Sequence, residues 1–200
     1  MSNLKETILN PILKGNPITV LVLGICSSLA VTVQLKGALV MALSVTIVTG
    51  LSSLVVSLLR NTIPNRVRII VQLVVVAMMV ILVDQVLKAY AYAIDKQLSV
   101  YIGLIITNCL VMGRIEAFAL GNKPIPSLLD GLANGVGYGL ILIIVAFFRE
   151  LLGSGTLLGM RVLPAGYIPN NLVILPPFAL ILLGCIIWVH RACDKELQEK

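Results

Sequence analysis

Six stretches of this chain, 15–35, 37–59, 69–83, 97–113, 131–148 and 162–189, contain no Asp, Glu, Lys or Arg. A bilayer interior offers no water to backbone N–H and C=O groups, so a segment that crosses it must satisfy them within itself, as a helix does. Crossing ~30 Å of hydrocarbon at 1.5 Å per residue takes ~20 apolar residues. Composition agrees: the 200 residues are 58% hydrophobic and 12% charged, with mean hydropathy +1.04. Soluble domains are about half apolar and a quarter charged, which excludes them as a class. The net charge of +6 does not point to nucleic acid, because the Lys and Arg residues gather at span ends. The expectation is an all-α integral membrane protein with six transmembrane helices in a single membrane domain over 1–200. The opening Met1-Ser2-Asn3-Leu4-Lys5-Glu6 has no cleavage-like stretch before the first span, so no cleaved leader is expected.

The second segment, Gly37–Leu59, is long enough to span, and the third reaches that length by continuing past Asp84 to about Tyr92. The first and fourth differ. Their strongly apolar parts, Ile18–Val33 and Leu98–Met112, are short and hold Ser, Thr, Asn and Gly. Short or interrupted segments at corresponding places in two halves point to discontinuous helices around a central site. Cys26 and Cys109 are 83 residues apart, and Arg60 and Arg149, at the ends of spans two and five, are 89 apart. The difference fits a longer loop, Arg114–Asp130, in the second half. Three spans per half force the second half to insert upside down, so an inverted 3+3 repeat is expected, with repeat one about 11–92 and repeat two about 97–190. Along a helix Cys26 lies ~14 Å beyond Pro17 and Cys109 ~18 Å beyond Gln97, which puts both near mid-membrane. On one side lie ten basic residues: Lys5, Lys14, Arg60, Arg66, Arg68, Arg114, Lys123, Arg191, Lys195 and Lys200. The other side has five, Lys36, Lys88, Lys96, Arg149 and Arg161, so both termini are expected in the cytoplasm.

Chemistry concentrates on Cys26 and Cys109. No CxxC and no Cys/His pair at finger spacing occurs, which excludes a local zinc or ferredoxin motif. A pair of thiolates suits a metal or iron–sulfur cluster, but a cluster normally takes four. Two more would have to come from a second, similar chain. Plain packing and a disulfide stand as the other readings of this pair. Ser27, Ser28, Thr107 and Asn108 flank it and can either donate to sulfur or pair helices. Gly135 and Gly139, within Gly135-Val136-Gly137-Tyr138-Gly139, suggest close helix contact. Cys185 and Cys193 have no counterparts in the first half and read as a packing residue and an exposed thiol. Asp84 is a candidate for an ion path, yet Lys88 stands at i+4 and offers a salt bridge. Arg114 with Glu116, Arg149 with Glu150, and His190 read as boundary residues. No phosphate loop, nucleophile with its base or paired catalytic carboxylates is present, so no catalysis is expected of the isolated chain.

Longer stretches carry a family resemblance. They include Asn16-Pro17-Ile18, Gly24-Ile25-Cys26-Ser27, Arg60-Asn61-Thr62-Ile63-Pro64-Asn65 followed by Val67-Arg68-Ile69-Ile70-Val71-Gln72, and Val83-Asp84-Gln85-Val86-Leu87-Lys88-Ala89-Tyr90. Lys96-Gln97-Leu98-Ser99-Val100, Gly103-Leu104-Ile105-Ile106-Thr107-Asn108-Cys109 and Val111-Met112-Gly113-Arg114 follow. Then come Glu116-Ala117-Phe118-Ala119, Pro124-Ile125-Pro126-Ser127 and Phe147-Phe148-Arg149-Glu150-Leu151-Leu152-Gly153-Ser154-Gly155. Nearly end to end, the chain resembles the D-type membrane proteins of the Na+-translocating NADH:quinone oxidoreductase, the six-component Nqr complex. The Thr107–Arg114 and Arg149–Gly155 stretches are also similar to the E-type protein of the Rnf ferredoxin:NAD+ complex. The resemblance implies an E-type Nqr partner of opposite orientation and a [2Fe–2S] cluster held by two cysteines from each chain, here Cys26 and Cys109. It further implies the remaining Nqr components A, B, C and F, which would carry NADH, FAD, FMN, riboflavin and quinone. The implied setting is the bacterial inner membrane, with electrons relayed across it while Na+ is exported and ubiquinone reduced. Inverted repeats also describe secondary transporters, and a cofactor-free scaffold is the third alternative.

Overall fold

A computed structural model describes residues 15–64, 66–90, 103–157, 160–161 and 171–193. Its helices are α1 (Ile25–Val31), α2 (Leu35–Leu59), α3 (Arg68–Tyr90), α4 (Cys109–Arg114), α5 (Pro124–Gly153), α6 (Asn171–Ile174) and α7 (Pro176–Cys193). A π-helical turn, Ile115–Ala119, continues α4. The strands β1 (Thr156–Leu157) and β2 (Met160–Arg161) form one small antiparallel hairpin. Leu35–Leu59, Arg68–Val86 and Pro124–Gly153 are each long and apolar enough to cross a membrane, and Pro176–Ala192 is a shorter apolar helix. The expected all-α membrane architecture is present. The ends of the expected repeats near 11, 92 and 97 lie outside the described residues.

Spans one and four are broken, as their composition suggested. Residues 17–20 form a turn and 21–24 are irregular before α1 begins; residues 103–106 are helical, and the chain breaks at Thr107–Asn108 before α4. Left-handed backbone at Val22 (φ 56°) and Gly24 (φ 82°) stops a helix from running through the first break. The ~14 Å depth assigned to Cys26 from a continuous helical rise therefore does not hold. A second correction concerns Arg114–Asp130, expected as a loop. It contains the π-helical turn and the first turns of α5, which starts on Pro124. Proline suits a first helical turn, and Arg114 binds both carboxylate oxygens of buried Asp130, with Nε to Oδ2 at 3.1 Å. That pairing lets an acidic residue continue the helix into the protein interior.

The centre of the fold is an antiparallel pair, α2 against α5, joined by small residues four apart on both helices. A Cβ on Gly131 would stand 2.8 Å from the Thr49 carbonyl, on Gly135 2.6 Å from Thr46 Cα, and on Gly139 2.9 Å from Ala42 Cβ. Backbones this close gain dispersion contacts where lipid gives no hydrophobic drive. The contact expected of Gly135 and Gly139 is thus made, and Gly131 extends it. Val45, Val48, Leu142 and Val145 are buried along the same seam. On α3, by contrast, Ile70, Val74, Met78 and Ile81 form an apolar face turned away from the rest of the chain.

The ends of the central pair are tied reciprocally. Arg60, following α2, donates to the Asn122 carbonyl in the loop before α5 at 2.9 Å, and Ser57 donates to the same oxygen. Arg149, near the end of α5, donates to the Leu29 carbonyl at 3.1 Å and to Thr32 Oγ1 at 2.6 Å, just before α2. It also donates to the Val173 and Ile174 carbonyls at the end of α6. Beside it, the Glu150 carboxylate accepts the Leu35 N–H at 2.6 Å and so caps α2. The guanidinium meets carbonyl ends and the carboxylate an amide end, each sign matching the helix dipole it faces. Arg149 and Glu150 are both buried, so they are not solvated boundary charges.

Candidate functional site

The two breaks meet. Cys26 is the second residue of α1 and Cys109 the first of α4, and the segments around them are bonded to each other. Asn108 caps α4, its Oδ1 accepting the Leu110 N–H at 3.0 Å. Its amide Nδ2 donates to Ser27 Oγ at 3.3 Å. Ser27 Oγ donates to the Gly24 carbonyl at 3.1 Å and lies 2.7 Å from the Tyr138 hydroxyl. The Gly24 N–H in turn donates to Cys109 Sγ at 2.9 Å. Residues adjacent in sequence to each cysteine are therefore bonded across the junction, and both thiols sit at the amide ends of short helices, where negative charge is favoured.

The site is layered. Ser27, Asn108 and Tyr138 are buried, whereas Cys26 is exposed and Cys109 partly so. The polar network is buried, and the two cysteines beside it are the more exposed part of the junction. Among the described residues no group of three or more His, Cys, Asp or Glu could hold a metal ion. The chain thus offers a soft two-donor set with one backbone N–H already directed at a sulfur.

Other sequence candidates fall elsewhere. Ser28 bonds to the Ile25 carbonyl and Thr107 to the Gly103 carbonyl, each within its own segment. Of the four flanking polar residues, Ser27 and Asn108 serve to pair the half-helices, and the donor to sulfur is a backbone group. Asp84 is paired with Lys88 at 2.6 Å on α3. Glu116 pairs with Arg68 and accepts from Gln72 at 2.7 Å, fastening α3 to the π-helical turn rather than pairing with Arg114. Cys185 is a free, exposed thiol on α7, His190 lies in the last turn of that helix, and the side chain of Cys193 is outside the described residues.

Tyr138 and the Gly24 N–H escaped the sequence reading. The available signal was an aromatic residue set between Gly137 and Gly139 in an uncharged run. Its ring packs so closely on Gly24 that a Cβ there would stand 2.7 Å from Tyr138 Cε2.

Residues 4–187 match the family profile described as Rnf-Nqr subunit, membrane protein. The chain belongs to the Rnf-Nqr subunit family. Among its relatives is the D subunit of the Na(+)-translocating NADH-quinone reductase of Aeromonas salmonicida, 56% identical over 205 residues and covering 100% of this chain and 98% of the relative. The Aeromonas hydrophila D subunit is likewise 56% identical over 205 residues, covering 100% and 98%. The Haemophilus influenzae D subunit is 57% identical over 201 residues, covering 98% of this chain and 97% of the relative. Within the Rnf-Nqr family the similarity is therefore full-length and to D-type chains of a reductase, in agreement with the resemblance seen in the Arg60–Gln72 and Asp84–Tyr90 stretches.

Proposed function

We propose that this chain is the D-type membrane component of a bacterial Na+-translocating NADH:quinone reductase, and that Cys26 and Cys109 are its two ligands to a [2Fe–2S] cluster. The observation that carries the site is the bonded junction of two half-helices, with an exposed Cys26, a partly exposed Cys109 and an N–H on the Cys109 sulfur. The donor set fits such a group: thiolates are its preferred ligands, and N–H···S bonds are a recognised influence on it. Two sulfurs leave it half-ligated, so the other two come from a homologous E-type partner of opposite orientation. When bound, the cluster supplies one-electron transfer between flavin-bearing components. This chain's residues do the rest. Cys26 and Cys109 hold the metal edge, the Gly24 N–H offsets negative charge on sulfur, and Asn108 with Ser27 keeps the two half-helices in register.

The Nqr components A, B, C and F complete the assembly and carry NADH, FAD, FMN, riboflavin and quinone. The inverted repeat, about 11–92 and about 97–190, is supported by the antiparallel α2–α5 seam and by the reciprocal grips of Arg60 and Arg149. The basic residues put both termini in the cytoplasm of an inner-membrane protein. A fluorescent protein fused after Lys200 should fluoresce there; a dark fusion with an active periplasmic reporter at the same site would reverse the orientation.

The function is tested on membranes carrying the complete complex. NADH-driven quinone reduction should be stimulated by Na+ and should load inverted vesicles with Na+. Electron flow to NAD+ from ferredoxin, without quinone reduction, would move the chain to the Rnf branch instead.

A further inference from the structure

Gly24 holds its N–H against Cys109 Sγ in a left-handed conformation, and the side chain that fixes it there comes from α5. We infer that Tyr138 is a positioning residue that sets the strength of the Gly24 N–H···Sγ bond and thereby the reduction potential of the cysteine-ligated cluster. The inference rests on the cluster reading above and assigns a residue that touches neither sulfur in the bonded network.

Two contacts carry it. The ring closes over Gly24, leaving 2.7 Å where a Cβ would go, and so backs that backbone against the junction. The hydroxyl meets Ser27 Oγ at 2.7 Å. Ser27 Oγ also lies 3.1 Å from the Gly24 carbonyl and accepts from Asn108 Nδ2 at 3.3 Å. Tyr138 and Asn108 thus hold the serine that borders Gly24. Tyr138, Ser27 and the Gly24 carbonyl form one contact chain, while the Gly24 N–H of the preceding peptide points to sulfur, so the tyrosine acts on that N–H by positioning the Gly24 backbone. Ser27, Asn108, Tyr138 and Gly24 are all buried, with no bulk water at hand to replace a lost partner.

An N–H directed at a ligand sulfur stabilises the more negative, reduced state and raises the potential. Tyr138→Phe keeps the ring over Gly24 but deletes the hydroxyl that Ser27 meets. Ser27 is then held by one fewer partner, Gly24 is less firmly aimed, and the reduced state loses stabilisation. Loss of one whole hydrogen bond to the reduced state corresponds to about fivefold in an equilibrium, which for a one-electron couple at 59 mV per tenfold is about 40 mV and sets the upper limit for a change that acts through position.

The test is a redox titration of the purified complex, followed by the electron paramagnetic resonance of the reduced cluster, with an iron assay on the same samples. Tyr138→Phe is expected to keep the wild-type iron content and to lower the midpoint potential by up to about 40 mV. Ser27→Ala should shift it in the same direction, and the double variant no further than the larger single change, because both act through one bond. Ser27→Ala decides alone if Tyr138→Phe fails to assemble. Full iron with an unchanged potential in an assembled variant overturns the inference, even if the melting temperature drops, since that is what a purely structural tyrosine would give. Absence of iron from the wild-type complex would instead overturn the cluster reading on which it rests.

Discussion

Serine at Cys26 or at Cys109 is expected to abolish NADH-driven quinone reduction by the assembled complex, a fall of more than about 100-fold. Altering groups that merely orient metal ligands already costs about 10–100-fold in affinity or activity, and here a ligand itself is lost. The geometry places the two positions alike in the junction. Each cysteine opens a half-helix, and each neighbours a residue of the Ser27–Asn108 bond. NADH oxidation with an artificial acceptor at the flavin-bearing component should survive, because in the proposed assembly that step precedes this chain. Cys185→Ser on α7 serves as the control and should retain full quinone reduction, as an exposed thiol outside the junction. A serine variant at Cys26 or Cys109 that assembles and reduces quinone at the wild-type rate would leave the pair as packing residues in a scaffold.

The second large effect is expected at Arg149. Its guanidinium serves the Leu29, Val173 and Ile174 carbonyls and Thr32 Oγ1 while buried. Methionine fills similar space but donates nothing, so it strands several buried acceptors at about 1–3 kcal/mol each. The expected loss is about 3–5 kcal/mol, a large part of the stability of a typical fold, and little complex should survive purification. Lysine keeps a charge but not the planar fork that reaches two loops at once, so Arg149→Lys should assemble with an intermediate melting temperature. Glu150→Gln still presents an oxygen to the Leu35 N–H and should be mild. Equal melting temperatures for the wild type and Arg149→Met would refute the role of Arg149 in tying these segments together.

What could be read from the sequence follows a physical boundary. The absence of charge marks α2 directly and α3 over residues 69–83, because no other composition tolerates lipid; the last turns of α3 carry the Asp84–Lys88 pair. The short apolar cores of spans one and four, with Gly24 and the Thr107–Asn108 pair inside them, announce the breaks for the same reason. The start of α5 is hidden, since Asp130 resembles a loop residue until Arg114, sixteen positions earlier, covers its carboxylate. Arg149 and Glu150 resemble a solvated membrane boundary until the loop before α2 and the end of α6 fold against them. Tyr138 is the hardest to foresee. Its partner Ser27 lies 111 residues away, and a tyrosine among glycines carries no local sign of which hydroxyl it meets. Local chemistry is legible in one dimension; long-range satisfaction of polar groups is not.

The central claim, a cluster shared across two chains, is tested most directly by iron assay and electron paramagnetic resonance on this chain co-expressed with its E-type partner. About two irons per pair of chains are expected, the stoichiometry of a [2Fe–2S] cluster, with a paramagnetic signal on reduction that vanishes with Cys26→Ser or Cys109→Ser. An iron-free pair, or full iron in either serine variant, would contradict it.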